Sequence, residues 1–125
     1  MSKPKVLIAE DDAVFRRVLE FSIRKRGFDV EVRHDGRAAL ERLRGGGVDL
    51  LVTDQQMPRL WGVDLLTAVR DERLLPPRQA ILCTAKGFEI DRDALIDSLG
   101  LIAVLNKPFS PKQLGDLLES ASAVA

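Results

Sequence analysis

Residues 48–54, VDLLVTD, make an apolar run rich in branched side chains that stops on an acid. Leu50, Leu51 and Val52 show none of the polar alternation of a half-exposed strand, and Val and Thr favour extended backbone. The run therefore predicts a strand buried on both faces, from Val48 to Thr53. Pro58 removes an amide donor and biases Met57 away from the α region, so the chain turns directly after Asp54. A strand covered on both faces belongs to the middle of a parallel sheet, where sites collect on the rim at the carboxyl ends of the strands. Asp54 stands at that rim. Taken alone, it fits an ordinary loop acid that caps or turns the chain better than a functional one.

The rest of the chain repeats the pattern. Val6 to Ala9 is a short apolar run ending in Glu10-Asp11-Asp12. Val14, Phe15, Val18, Leu19 and Phe21 recur at helical spacing after it, with Asp12 as candidate N-cap and Gly27 past the basic end Arg24-Lys25-Arg26. Phe28, Val30 and Val32 alternate with charged residues, which predicts a half-exposed or edge strand. A second helix turns Ala38, Ala39, Leu40 and Leu43 inward and stops at Gly45-Gly46-Gly47. That triple glycine lacks the Lys-Ser/Thr ending of a phosphate loop and precedes a strand, so it reads as a helix stop. Val63, Leu65, Leu66 and Val69 mark a third helix ended by Pro76-Pro77, and Ala80 to Thr84 a fourth strand. A fourth helix around Ile90, Ala94, Leu95 and Ile96 is the weakest, because Asp91, Asp93 and Asp97 are poor helix formers. Leu101 to Leu105 is a fifth strand. Ser110, Pro111 and Gln113 form a capping-box start for the last helix, whose stripe is Leu114, Leu117 and Leu118 and whose tail, ESASAVA, is expected to fray.

Length and charge narrow the function classes. A chain of 125 residues is expected to be one domain, burying about two-thirds of its potential surface. Lys plus Arg and Asp plus Glu both number 19, so no bulk charge points to nucleic acid or to an anionic membrane. Four apolar residues after MSKPK are too few for a signal peptide or a membrane span. Cys83, the only cysteine, excludes an internal disulfide and reads as a small core residue. These features predict a cytoplasmic protein.

Right-handed crossovers bring the carboxyl ends of strands one, three, four and five to one rim. It collects Glu10, Asp11, Asp54, Thr84 and Lys107. Three acids in one crevice repel each other, so positive charge must normally occupy it. Lys107 supplies one charge, and a hard, oxygen-bound cation such as Mg²⁺ suits the remainder. A flavin or nucleotide phosphate is disfavoured, since the turn after the first strand is Glu10-Asp11-Asp12 and not an anion cradle.

The set Glu10-Asp11, Asp54, Met57-Pro58, Gly62, Thr84-Ala85 and Lys107-Pro108-Phe109 resembles the receiver domain of bacterial two-component response regulators, in order and over nearly the whole chain from Lys5 to the last helix. The resemblance implies an α/β fold, the flavodoxin-like doubly wound (βα)5 three-layer sandwich with parallel sheet order 2-1-3-4-5, its core spanning about residues 4–119. It implies that Asp54 accepts a phosphoryl group from a sensor histidine kinase, a histidine phosphotransfer protein or a small phosphodonor. It implies a Mg²⁺ site made by Asp11, Asp54 and the backbone carbonyl of Gln56, with Glu10 acting through water. Thr84 and Lys107 then contact the phosphoryl oxygens, and slow self-dephosphorylation follows. A second receiver or an output partner is expected on the fourth helix, fifth strand and fifth helix, and kinases or phosphotransfer proteins on the first helix.

Several positions depart from the family pattern. Trp61 stands before Gly62, where Asp or Asn is usual, and is expected to pack the loop. Val104 replaces the usual aromatic switch residue three positions before Lys107. Gln56 and Lys86 occupy positions that tune hydrolysis in the family. Arg16 and Arg17 are most simply the wet face of the first helix. The competing function is a pseudo-receiver that serves as an adaptor or dimerisation module without phosphorylation; such proteins typically lose the acid pair, the acceptor or the lysine. A haloacid-dehalogenase-type phosphatase also uses a strand-end acid, but needs another acid where this chain has Gln56.

Overall fold

The computed structural model describes residues 3–85 and 91–124, so Lys86 and Ile90 of the expectations above lie outside the described residues. Ten elements alternate strictly: β1 (Lys5–Ala9), α1 (Ala13–Lys25), β2 (Asp29–Arg33), α2 (Gly36–Arg44), β3 (Leu50–Asp54), α3 (Gly62–Asp71), β4 (Ala80–Thr84), α4 (Arg92–Leu99), β5 (Ala103–Asn106) and α5 (Pro111–Val124). The sheet order is β2-β1-β3-β4-β5, every pair parallel. This is the flavodoxin-like order 2-1-3-4-5, with β2 and β5 at the edges; for β2 the alternating pattern predicted an edge position.

Alternation along the buried strands divides the core into two halves. Leu7, Leu51 and Leu82 face α2 and α3 and pack with Leu43, Leu65, Leu66 and Val69. Val6, Ile8, Leu50, Val52 and Ile81 point the other way, against Leu19, Ile23, Leu114 and Leu118 of α1 and α5. β3 and β4 are buried at every residue. That excludes water from the ladder and holds the rim residues at fixed heights.

Four details differ from the pattern-based expectation. β3 starts at Leu50 and keeps Asp54 as its last residue, while β5 starts at Ala103 and ends on Asn106. In α1 the buried residues are Leu19 and Ile23, with Phe15 packed beside them. Val14, Val18 and Phe21 are exposed, at 71%, 45% and 70%. The apolar band of this helix is wider than the strip the sheet covers, and the second stripe, spaced i, i+4, i+7, faces outward. α4 is better specified than its acids suggested. Asp91 caps it by accepting from the Ala94 amide at 3.1 Å, and Asp93 lies in its first turn, where acids stabilise a helix. Finally, α5 does not fray at Glu119. It runs on to Val124, because Ala121 continues the packing stripe of Leu114 and Leu118.

Candidate functional site

The parallel register delivers the rim residues together. Ala9 pairs with Thr53, Asp54 with Cys83, and Thr84 with Asn106, so the residues following β1, β3, β4 and β5 emerge side by side. Glu10 is 2% exposed, Asp54 8% and Thr84 1%, whereas Asp11 is exposed. Oxygen atoms from Glu10, Asp11 and Asp54 all lie within 4.8 Å of one another. The Lys107 ammonium sits 2.9 Å from Glu10 Oε1 and 3.3 Å from Asp54 Oδ1, bridging the ends of β1 and β3 from the loop after β5. Its peptide bond to Pro108 is cis.

Backbone donors hold the acids in place. Asp54 Oδ1 accepts from the Gln55 amide at 2.9 Å, and Glu10 Oε2 accepts from the Asp12 amide at 3.2 Å. Asp12 in turn caps α1, accepting from the Val14 and Phe15 amides at 3.0 and 3.1 Å. Gln55 closes the loop into α3: its Oε1 accepts from the Val63 amide at 2.8 Å and its carbonyl from Gly62 at 2.9 Å. Gly62 is required by space, since a Cβ there would strike the Asp54 carbonyl oxygen and come within 2.8 Å of Leu82 Cδ1.

The electrostatics follow from burial. Asp54 is pushed above the usual carboxylate range by desolvation, with Lys107 and the Gln55 amide pulling against it. Glu10 is also pushed up, first by desolvation and then by the charge of Asp54, against Lys107 and the Asp12 amide. For Lys107, burial acts to lower the pKa, but the contacts to Glu10 and Asp54 outweigh it and hold the ammonium charged. One cation thus faces more negative charge than it balances. The donor set is oxygen only, partly buried and anionic, which fits a hard divalent ion with retained waters and does not fit a soft metal.

The family profile of the response regulator receiver domain matches residues 6–119. The chain belongs to that family. It is 36% identical over 118 residues to the chemotaxis protein CheY of Pseudomonas aeruginosa, covering 92% of this chain and 93% of that one. It is 37% identical over 110 residues to the transcriptional regulatory protein CpxR of Escherichia coli strain K12, which covers 88% of this chain but only 45% of that regulator's length. Among solved structures, the receiver domain of the Francisella response regulator 1452 superposes with a TM-score of 0.88 at 28% identity, covering 98% of each chain. Receiver domains typically bind Mg²⁺ at an acidic cluster, and in this one Glu10, Asp11 and Asp54 form such a cluster.

The receiver domain brings Glu10, Asp11, Asp54 and Lys107 together as expected from the sequence. Thr84 reaches the same rim, but its hydroxyl turns the other way, to Asn106 Oδ1 at 2.9 Å. Gln56 is exposed in the loop after β3. Trp61 occupies the N-cap position of α3 without a side-chain capping bond and keeps 48% of its surface exposed, so it only partly fulfils the packing expected of it. Cys83 is buried, and burial raises its thiol pKa, which leaves it an inert core residue.

Sequence reasoning missed four contributors. Arg16 is not simply wet: its Nη1 donates to the Glu10 carbonyl at 2.9 Å, with the Asp11 carbonyl at 3.4 Å, and so braces the loop that carries both acids. Phe15 lies under the Lys107 ammonium at 4.5 Å and meets Phe109 edge-on at 5.5 Å, walling the lysine into place. Gln55 and Asn106 are the others. The signal for Arg16 was its place one turn after the Asp12 cap; Gln55 and Asn106 carried none.

Proposed function

We propose that this receiver domain accepts a phosphoryl group on Asp54 from the phosphohistidine of a sensor histidine kinase or histidine phosphotransfer protein, in a Mg²⁺-dependent step of a two-component phosphorelay. The observation that carries the reading is Lys107, held between Glu10 and Asp54 with Asp11 in the same cluster. An Asp54 carboxylate oxygen attacks phosphorus, the phosphorus–nitrogen bond to the donor imidazole breaks, and the imidazole leaves with the electron pair. Lys107 neutralises charge on the transferring oxygens, and Thr84 is the hydroxyl available to one of them once it leaves Asn106. Asp11, Asp54 and the Gln56 carbonyl would hold Mg²⁺ directly, with Glu10 through water. The ion, when bound, offsets the charge of the acids and of the phosphoryl oxygens. Later hydrolysis of the acyl phosphate by water returns Asp54 to its free state.

The exposed stripe Val14, Val18 and Phe21 supports docking of the donor on α1, beside the loop that carries Glu10 and Asp11. A related fold, the receiver domain of Ssk1 from Saccharomyces cerevisiae, has been solved together with the phosphotransfer protein Ypd1, with a TM-score of 0.85 at 22% identity. Phosphorylation would be passed on through the face of α4, β5 and α5 to an output partner or a second receiver. A cytoplasmic setting suits this chemistry. No helix among the described residues is long and apolar enough to cross a membrane. The pseudo-receiver reading has no comparable support, since the acid pair, acceptor and lysine are all present.

Incubation with a phosphohistidine-bearing phosphotransfer protein tests the reading. Label should pass to the wild-type chain in Mg²⁺ and stay on the donor in EDTA. Trp61 fluorescence should follow Mg²⁺, weakly in Asp11→Ala and nearly as in wild type in Glu10→Gln. Equal losses in both variants would contradict the assignment of direct and water-mediated roles.

A further inference from the structure

Thr84 ends β4 and Asn106 ends β5, directly opposite it in register. Thr84 Oγ1 and Asn106 Oδ1 are 2.9 Å apart. Two oxygens at that distance need a proton between them, and only the hydroxyl has one to give. The hydroxyl of Thr84, which is 1% exposed, therefore points toward β5. Asp54 lies on β3, the other neighbour of β4. A threonine has a single hydroxyl proton, so donating to Asn106 and donating to a phosphoryl oxygen on Asp54 exclude each other.

We propose that Asn106 is a positioning residue that withholds the Thr84 hydroxyl and sets how readily it engages a phosphorylated Asp54. The inference rests on the reading of Asp54 as phosphoacceptor. Asn106 is exposed, so its carboxamide is re-solvated when the bond opens. A charged phosphoryl oxygen is also the stronger acceptor, so the hydroxyl transfers to it. The bond to Asn106 still weakens that engagement, by about fivefold for a typical neutral hydrogen bond. Val104, two residues before Asn106 on β5, is buried and apolar and offers Thr84 no substitute side-chain acceptor.

Beryllofluoride, a phosphoryl mimic, measures this directly. In saturating Mg²⁺, Asn106→Val should bind it about fivefold more tightly than wild type. The same substitution made on a Thr84→Ala background should change nothing, because there is no hydroxyl to release. In the wild type, the Thr84 hydroxyl proton should be slow to exchange in the free domain and shift on binding of the mimic, an observation that needs no variant. An unchanged affinity in Asn106→Val, a gain that persists without the Thr84 hydroxyl, or a hydroxyl proton that does not respond would each overturn the proposal while leaving wild-type binding intact. A folded wild type that neither binds beryllofluoride nor accepts phosphoryl at Asp54 would instead overturn the phosphoacceptor reading, and this inference with it.

Discussion

Replacing Lys107 with methionine keeps most of its unbranched stem and removes its charge from between two buried acids. The ammonium is 2.9 Å from Glu10 and 3.3 Å from Asp54. At an effective dielectric of about 20, such separations give gross attractions of roughly 6 and 5 kcal/mol. Most of this is cancelled by the desolvation of all three groups. Removing one partner of a buried pair costs about 3–5 kcal/mol, and the 25% exposure of the Lys107 side chain sets the lower end. The expected loss is about 3 kcal/mol, or roughly 10 °C in Tm for a domain of this size. The pH dependence has a definite sign. Burial already raises both carboxyls, and without the lysine they rise further. A raised carboxyl favours the fold while protonated and loses that contribution as pH climbs through its folded value. The deficit of Lys107→Met should thus be largest at about pH 8 and smaller at about pH 5, and Mg²⁺ should restore part of it at the higher pH. Urea denaturation at both pH values, with and without Mg²⁺, reads all three effects. Equal deficits at the two pH values, or none, would refute the view that Lys107 compensates the acid cluster.

Three further outcomes follow from other parts of the molecule. Gly62→Ala should destabilise by about 2 kcal/mol, because its Cβ meets the Asp54 carbonyl and Leu82 and the strand-end packing cannot give; a loss below about 0.5 kcal/mol in denaturant would contradict that. Glu31 is held down to about 2 by Arg42 and then Lys5, so its contribution is complete above its ordinary value of 4.5 and disappears as pH falls from there toward 2. Glu31→Gln should therefore cost about 1 kcal/mol near neutrality and almost nothing in acid, by thermal melts across that range. Phe21→Ala, at an exposed position of α1, should leave stability and labelling by acetyl phosphate unchanged while slowing transfer from a phosphotransfer protein several-fold; slowing with both donors would place its role elsewhere.

The chain announced its fold through strand-end chemistry. The continuous apolar runs ending at Ala9, Asp54 and Thr84 identified buried parallel strands, and parallel topology then required their carboxyl ends to share one rim. That was sufficient to bring Glu10, Asp11, Asp54 and Lys107 together on paper. Periodicity failed on α1, where Val14, Val18 and Phe21 fit a helical stripe but face outward, because spacing identifies an apolar band and not how much of it the sheet covers. Propensity failed on α4, where Asp91 and Asp93 count against a helix interior yet occupy the cap and first turn, and on α5, which packing extends past its expected end. Gln55 and Asn106 were illegible for a different reason. Their roles depend on which backbone amide or neighbouring strand end a side chain reaches, and a sequence does not record that distance.

The central claim is that Asp54 carries the phosphoryl group, and intact-mass measurement after treatment with acetyl phosphate and Mg²⁺ tests it most directly. In this reaction the phosphorus–oxygen bond of the donor breaks and acetate leaves. The wild type should gain the mass of a single phosphoryl group, mapped by peptide analysis to the segment containing Asp54, and Asp54→Asn should gain none. Labelling that persists in Asp54→Asn, or a folded, Mg²⁺-loaded wild type that stays unlabelled, would contradict the account.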